Sequence, residues 1–421
     1  MTGKTRPRIS DDDRSPSVSL YAQERTAVKV EATTLDDAMH IKHVLWVCAG
    51  LGAIGLAAFG AWIATLPPAE AAAAAPAIPG REVEATLAGL KPPKRQRPLV
   101  AIIGINDATE TTDYLMPAGI LRRAGVADVA LLATEPGPVR LYPALTVEPQ
   151  ATIAEFDAQH PEGADYVIVP AMSRDDDQAA LRWIRSQAAR GSTILGVCAG
   201  AKVVAAAGLL DGRRATTHWY YLEEMLEISP TTTYVPDRRI VIDGSVATTT
   251  GITASMPMML TLIEAIAGRS RAESVARGLG VSEWGARHVS RTFRLTRPFA
   301  LTVLANRGRF WTHEELGIAI SPGIDDISLA LVADAWSRTY RSRAIAFAPT
   351  DAAIETRNGI RVIPDRSATS WPEARLLPAI GERAPATALD DTLHGIERRY
   401  GTRTAAVVAM QLEHPWRQAP R

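Results

Sequence analysis

Cys198 stands at the centre of Gly196-Val197-Cys198-Ala199-Gly200, between the β-rich run STILGV and the Ala/Val-rich run AKVVAAAGLL. In a turn from strand to helix, small residues on either side let the chain reverse sharply and lift the central side chain above a sheet. That is the form of a nucleophile elbow. A thiol so placed meets the unpaired N–H groups and positive end of a helix, which favour thiolate. The N–H of Ala199 is then a candidate oxyanion donor. A thiolate attacks small electrophilic carbons, and the same thiol can register oxidation. The other cysteine, Cys48, lies in an uncharged apolar run, so no disulfide framework exists in the rest of the chain.

An elbow needs a sheet beneath it, and the flanking sequence supplies one. PLVAIIGI reads as a buried strand, YLMPAGILRRAG as a helix stopping at Gly125, and DVALLAT as a second strand. DYVIVPA is a further strand, followed by the helix DQAALRWIRSQAARG with its glycine stop. Short β-rich runs alternating with helices predict an α/β fold, a flavodoxin-like parallel sheet sandwiched by helices.

The first hundred residues have a different character. Residues 1–43 are polar and aperiodic, with the acidic triplet Asp11-Asp12-Asp13, and read as a disordered cytoplasmic tail. Residues 44–66, from Val44 to Leu66, contain no charge and predict a transmembrane helix, with Trp46 and Trp62 near its ends. Lys and Arg crowd the segment before this run, and none follows until Arg81. The positive-inside rule therefore puts the N-terminus in the cytoplasm and the soluble domains outside the cytoplasmic (inner) membrane, on the periplasmic side. A start at Met39 would instead make the run resemble a secretory signal; both readings export the soluble part. Residues 67–97, rich in Ala and Pro, read as a linker.

The stretch GVCAGAKVVAAAGLLDGRRATTHWYYLEEM, continuing through VPDRRIVIDGSVATTTGITASMPMMLTLIE, resembles the ThiJ/PfpI superfamily of glutamine-amidotransferase-like folds. Within it, the likeness is to the branch of isocyanide hydratases and the amidase-like sensor domains of AraC-type regulators. The resemblance covers about residues 98–280 and implies a domain over 98–300. It implies that Cys198 is the nucleophile, that His218 in ATTHW is the family histidine, and that Asp113, four residues before Pro117, is the acidic partner. For His218 a structural role in the adjacent loop and a direct acid/base role stand side by side. For Asp113 the plain alternative is an N-cap of the helix beginning near Tyr114. The chain departs from the family in two places. Pro170-Ala171-Met172 stands where Pro-Gly-Gly is usual, in the turn whose backbone at Ala171 and Met172 would supply the second oxyanion donor. Ala199 stands where isocyanide hydratases carry Thr or Ser. Glyoxalase-, deglycase- and amidase-like chemistry stay open beside hydration.

Residues 301–421 read as a degenerate second α/β half-copy. LGIAISPGIDDISLALVADAW parallels LVAIIGINDATETTDYLMPAGIL, with Asp326 falling where Asp113 does. Val362-x-Pro364 follows as Val147-x-Pro149 does, and Ile396, Glu397 and Gly401 recur as Ile263, Glu264 and Gly268. No cysteine or elbow lies between them. The expectation is a non-catalytic repeat packed on the first domain as an intramolecular pseudo-dimer.

Acids and bases balance at a formal net charge of +0, so no global field favours nucleic acid. The segment ARGLGVSEWGARHVSRTFRL has a superficial likeness to a recognition helix, but it lies where the family's closing segment belongs, and no nucleic-acid partner is expected. No phosphate loop or metal-ligand cluster occurs, so neither cofactor nor metal is expected. Two functions follow: a cysteine-dependent hydrolase, amidase or lyase acting on a small-molecule substrate, or a ligand- or redox-sensing domain.

Overall fold

The computed structural model describes residues 40, 43, 45–48, 50–69, 74–92 and 94–416. The tail read over 1–43 lies almost wholly outside these described residues. The chain divides into two units, Met1–Thr65 and Leu66–Arg421. In the first, Leu45–Thr65 is a 21-residue helix with a mean hydropathy of 1.9, long and apolar enough to cross a membrane. At 1.5 Å per residue it measures about 30 Å, the thickness of a bilayer core.

The second unit is built on a seven-stranded sheet. Its spatial order is Ile240–Asp243, Val246–Thr249, Thr193–Gly196, Tyr166–Val169, Leu99–Gly104, Asp128–Ala133 and Ala151–Thr152. Every neighbouring pair is parallel except the Ile240–Asp243/Val246–Thr249 hairpin. Strands such as Leu99–Gly104 and Tyr166–Val169 are buried along their whole length, because helices cover both faces. Apolar side chains on the two faces make two separate cores, one holding Val100 and Ile102, the other Ala101 and Ile103. The parallel α/β expectation holds, and each named strand falls where its β-rich run lies.

The segment read as a linker is only partly one. Gly80–Gly89 is a helix, ending beside the fully buried Leu90. Glu82 pairs with Arg238 at 2.5 Å, while Lys94 and Arg95 donate backbone N–H groups to Asp165 at 3.0 and 2.9 Å. These partners are 70 or more residues away in sequence, so local composition carried no sign of them.

Beyond residue 313 a second parallel pair forms, Glu314–Ala319 with Ser342–Ala348, and Arg366–Ser367 extends it at the edge. Trp371 packs over this pair: a Cβ at Gly317 would run into its ring, which stacks on Phe347 at 5.2 Å. The helix Asp326–Ser337 packs against the helix Thr111–Ala124. Their approach is close at Gly119, where an added Cβ would collide with the Asp326 carboxylate and lie 2.8 Å from Ile327. The contacts of these helices are reciprocal. Arg338, after one helix, reaches Glu110, the N-cap of the other; Arg123, in that helix's last turn, pairs with Asp325, the first helix's N-cap. Arg361–Ile363 also runs antiparallel to Thr146–Glu148 with Val362 opposite Val147. Gly268 and Gly401 each join two helices at nearly the same positive φ, 84° and 88°.

Candidate active site around Cys198

The elbow is strained at the cysteine itself. Cys198 holds φ at +56°, a left-handed conformation that non-glycine residues adopt at a cost of about 1–3 kcal/mol. Its glycine neighbours serve close approach. A Cβ at Gly196 would lie 2.9 Å from the Ala201 backbone, and one at Gly200 would collide with the Val169 carbonyl oxygen. Threonines brace the strained residue: the Cys198 N–H donates to Thr249 Oγ1 at 3.0 Å, and Thr217 Oγ1 donates to the Cys198 carbonyl at 3.1 Å. The side chain is not lifted into the open, since Cys198 is only 4% exposed. The helix that follows, Gly200–Ala206, has seven residues, so its dipole is short.

Asp113 comes to the thiol from the helix Thr111–Ala124. It is that helix's third residue and not its N-cap; Glu110 is the cap, accepting from the Asp113 N–H at 2.6 Å and the Thr112 hydroxyl at 2.8 Å. Asp113 Oδ2 accepts from the Ala171 N–H at 3.2 Å. The other oxygen of the Asp113 carboxyl, Oδ1, is buried with no hydrogen-bond partner. Burial drives its pKa up to about 7, against the pull of the Ala171 N–H, Arg338 and the thiol. Burial, then the charges of Asp113, Glu110 and Glu413, push the thiol well above its ordinary value, while a hydrogen bond from the Ala199 N–H acts the other way.

One of the backbone groups expected to receive an oxyanion is therefore engaged: the Ala171 N–H points at Asp113. Met172 sits opposite Thr109 in an isolated antiparallel bridge, flanked by Glu110 N–H to Ala171 O at 2.8 Å and Ser173 N–H to Ala108 O at 3.0 Å. That bridge clamps the departing Pro170-Ala171-Met172 turn to the start of the Asp113 helix.

His218 lies in the buried loop after Thr217, with both ring nitrogens committed to backbone. Nδ1 accepts from the Tyr220 N–H at 3.1 Å, and Nε2 lies 2.9 Å from the Gln411 carbonyl, which assigns the proton to Nε2. Burial lowers its pKa, so the ring is neutral at pH 7. In this geometry it ties the elbow's neighbouring loop to the C-terminal helix Thr402–Gln411.

Several residues of the site carried no sequence signal. Arg338 donates to Glu110 at 2.8 Å and to both oxygens of Asp334 at 2.7 and 3.0 Å, a largely buried cation acting on Asp113. Two carboxylates hold it: their charges raise its pKa although burial opposes them. Glu413 comes from the other end of the chain, its Oε1 accepting from the Trp219 N–H at 2.8 Å. Beside it opens a cavity of about 470 Å3, reached by Thr217 and Thr250 on the side of the elbow. A capping pattern at Glu110 was the one legible hint, since an acceptor belongs three residues before Asp113. Among the described residues no group of three or more His, Cys, Asp or Glu side chains is arranged to hold a metal.

A family model described as the DJ-1/PfpI family matches residues 100–265. The chain is 34% identical over 168 residues to an isonitrile hydratase of Pseudomonas putida, covering 39% of this chain and 70% of that protein. It is 27% identical over 312 residues to the HTH-type transcriptional regulator GlxA of Rhizobium meliloti (strain 1021), covering 68% of this chain and 88% of the regulator. The crystal structure of Drosophila melanogaster DJ-1beta superposes with a TM-score of 0.40 at 24% identity, over 44% of this chain and all of that one.

Proposed function

Starting from the DJ-1/PfpI family, to which this chain belongs, we propose that it is a membrane-anchored, cysteine-dependent enzyme acting on a small electrophile such as an aldehyde, a nitrile-like carbon or an amide. The observation that carries this reading is the pairing of a strained Cys198 with a buried carboxyl whose pKa is about 7. Strain of this kind persists only where the surroundings over-determine it, and it concentrates at functional sites. A carboxyl titrating near 7 is suited to exchanging a proton with a thiol at neutral pH. In the reaction the thiol proton passes to the Asp113 carboxylate as sulfur bonds to the electrophilic carbon. The displaced π electrons move onto the substrate heteroatom, which then takes the proton back from Asp113.

Residues 301–421 act in this reading as a degenerate second copy that imitates a dimer partner. The reciprocal Arg–carboxylate pairs and the register of Val362 on Val147 support it, since a two-fold interface requires each contact twice. The helix Leu45–Thr65 anchors the chain, with the second unit outside the cytoplasmic membrane. Export would separate it from DNA, so we read a small molecule, and no nucleic acid, as its partner.

A ligand- or redox-sensing domain is the second reading. The burial of Cys198 favours it, as do the engaged Ala171 N–H and the likeness to a transcriptional regulator. The pH dependence of Cys198 alkylation by iodoacetamide separates the two. An enzyme of the proposed kind shows an inflection near pH 7, as Asp113 changes from donor to repelling charge, and Asp113→Asn abolishes it. A single titration above the roughly 8.5 of a free cysteine, unmoved by Asp113→Asn, would overturn the catalytic reading in favour of sensing.

A further inference from the structure

The cavity of about 470 Å3 beside the elbow is of small-ligand size. Its walls are unusually aromatic for a polar cleft: Trp219, Tyr220, Tyr234 and Phe293 all face it. Glu413 closes it from the C-terminal end, with a side chain only 2% exposed. One carboxylate oxygen is satisfied by the Trp219 N–H, but Oε2 is buried with no hydrogen-bond partner. His288 Nε2 lies 3.5 Å from it, on a ring stacked against Phe293 at 5.2 Å. Burial holds that imidazole below its ordinary pKa, so it does not neutralise the carboxylate at pH 7.

The chain also holds Glu413 in an unfavourable conformation to keep the carboxylate there. Its φ is +50°, and Thr253 pins it by donating its hydroxyl to the Glu413 carbonyl at 2.8 Å and its N–H to Leu412 O at 3.1 Å. At Gly251 even a Cβ would lie 2.7 Å from the Glu413 side chain. Basic groups are present too: Arg294 lines the cavity, and the half-buried Arg239 acts on Glu413 electrostatically while its Nε donates to Arg287 O at 2.7 Å. Glu223 and Glu224 add two more carboxylates to the lining. A buried oxygen that lacks a donor, in a cavity lined by aromatic side chains, is complementary to a positively charged N–H group on an apolar body.

We propose that this cavity is a binding site for a small organic ammonium ion, with Glu413 as counter-ion and the rings of Trp219, Tyr234 and Phe293 as its walls. The site stands apart from thiol reactivity, because binding here makes and breaks no covalent bond. It also joins the middle of the second unit, residues 217–295, to Glu413 near its C-terminal end, so the C-terminal segment completes the pocket that the elbow domain opens.

The test is equilibrium binding of benzylammonium chloride to the full chain in detergent, read by tryptophan fluorescence and calorimetry, beside the neutral isostere benzyl alcohol and the anion phenylacetate. The expected result is saturable binding of benzylammonium with preference over both others, weakened roughly tenfold or more by Glu413→Gln. Equal affinity for benzyl alcohol, preference for phenylacetate, no saturable binding, or an unchanged affinity in a folded Glu413→Gln chain would each overturn the proposal. Should Glu413→Gln fail to fold, the charge preference of the parent chain and the effect of Phe293→Leu decide the question. Repeating the titration with Cys198→Ser separates failure here from failure of the catalytic reading, which concerns the thiol alone.

Discussion

Replacing Asp113 by asparagine keeps the shape of the side chain and removes its ionisation. Asp113 is buried, and its pKa rises from the ordinary 3.8 to about 7. A group with a raised folded pKa binds its proton more tightly in the folded state. Its contribution to stability is therefore full below the unfolded value near 4 and is lost as pH rises through 7. Asparagine has no proton to lose, so the variant gains on the parent as pH rises. The displacement of about three pKa units is worth on the order of 4 kcal/mol in full. Roughly 2.5 kcal/mol of that falls between pH 5 and 8, because the unfolded carboxyl is already mostly ionised at pH 5. Glu110 also titrates well above its ordinary range, driven by burial and then by Asp113, so part of the gain arrives through the relief of Glu110. Urea unfolding of the unit Leu66–Arg421 at pH 5, 6.5 and 8, followed by tryptophan fluorescence, measures the gap directly. A gap constant within roughly 0.5 kcal/mol across that range would refute the reasoning. It would mean that the Ala171 N–H and Arg338 keep Asp113 ionised throughout.

Arg338→Leu leaves Glu110 and Asp334 buried without their cation and should cost about 3–5 kcal/mol, measured by the same unfolding at pH 8. The loss should shrink towards pH 5 as the orphaned carboxyls take up protons, with Arg338→Lys recovering part of it. Gly200→Ala drives a Cβ into the Val169 carbonyl and should destabilise by about 1–3 kcal/mol, measured by the same urea unfolding. A C-terminal alkaline-phosphatase fusion should be active and the matching cytoplasmic reporter silent; the reverse pattern rejects export and revives a DNA-binding reading of the chain.

Much of this molecule was legible locally because the relevant physics is local. The β-rich runs around PLVAIIGI and DYVIVPA and the glycine stop at Gly125, which takes φ +64°, depend on neighbours a few residues away. The elbow at Cys198 and the apolar run ending at Thr65 are local in the same sense. Even Asp113 could be found from its distance to Pro117 in a recognisable family pattern. What the tertiary structure decided is everything set by partners distant in sequence. That Cys198 is buried, that Ala171 serves Asp113, and that His218 donates to Gln411 are outcomes of packing across 58 to 193 residues. The helix Gly80–Gly89 and the cation at Arg338 belong to the same class, since a charge becomes structural only when a distant partner excludes its water. Sequence by itself determined the fold class and the position of the thiol; only tertiary structure decided the thiol's environment, because protonation and accessibility follow from burial and nearby charge, which no local pattern encodes.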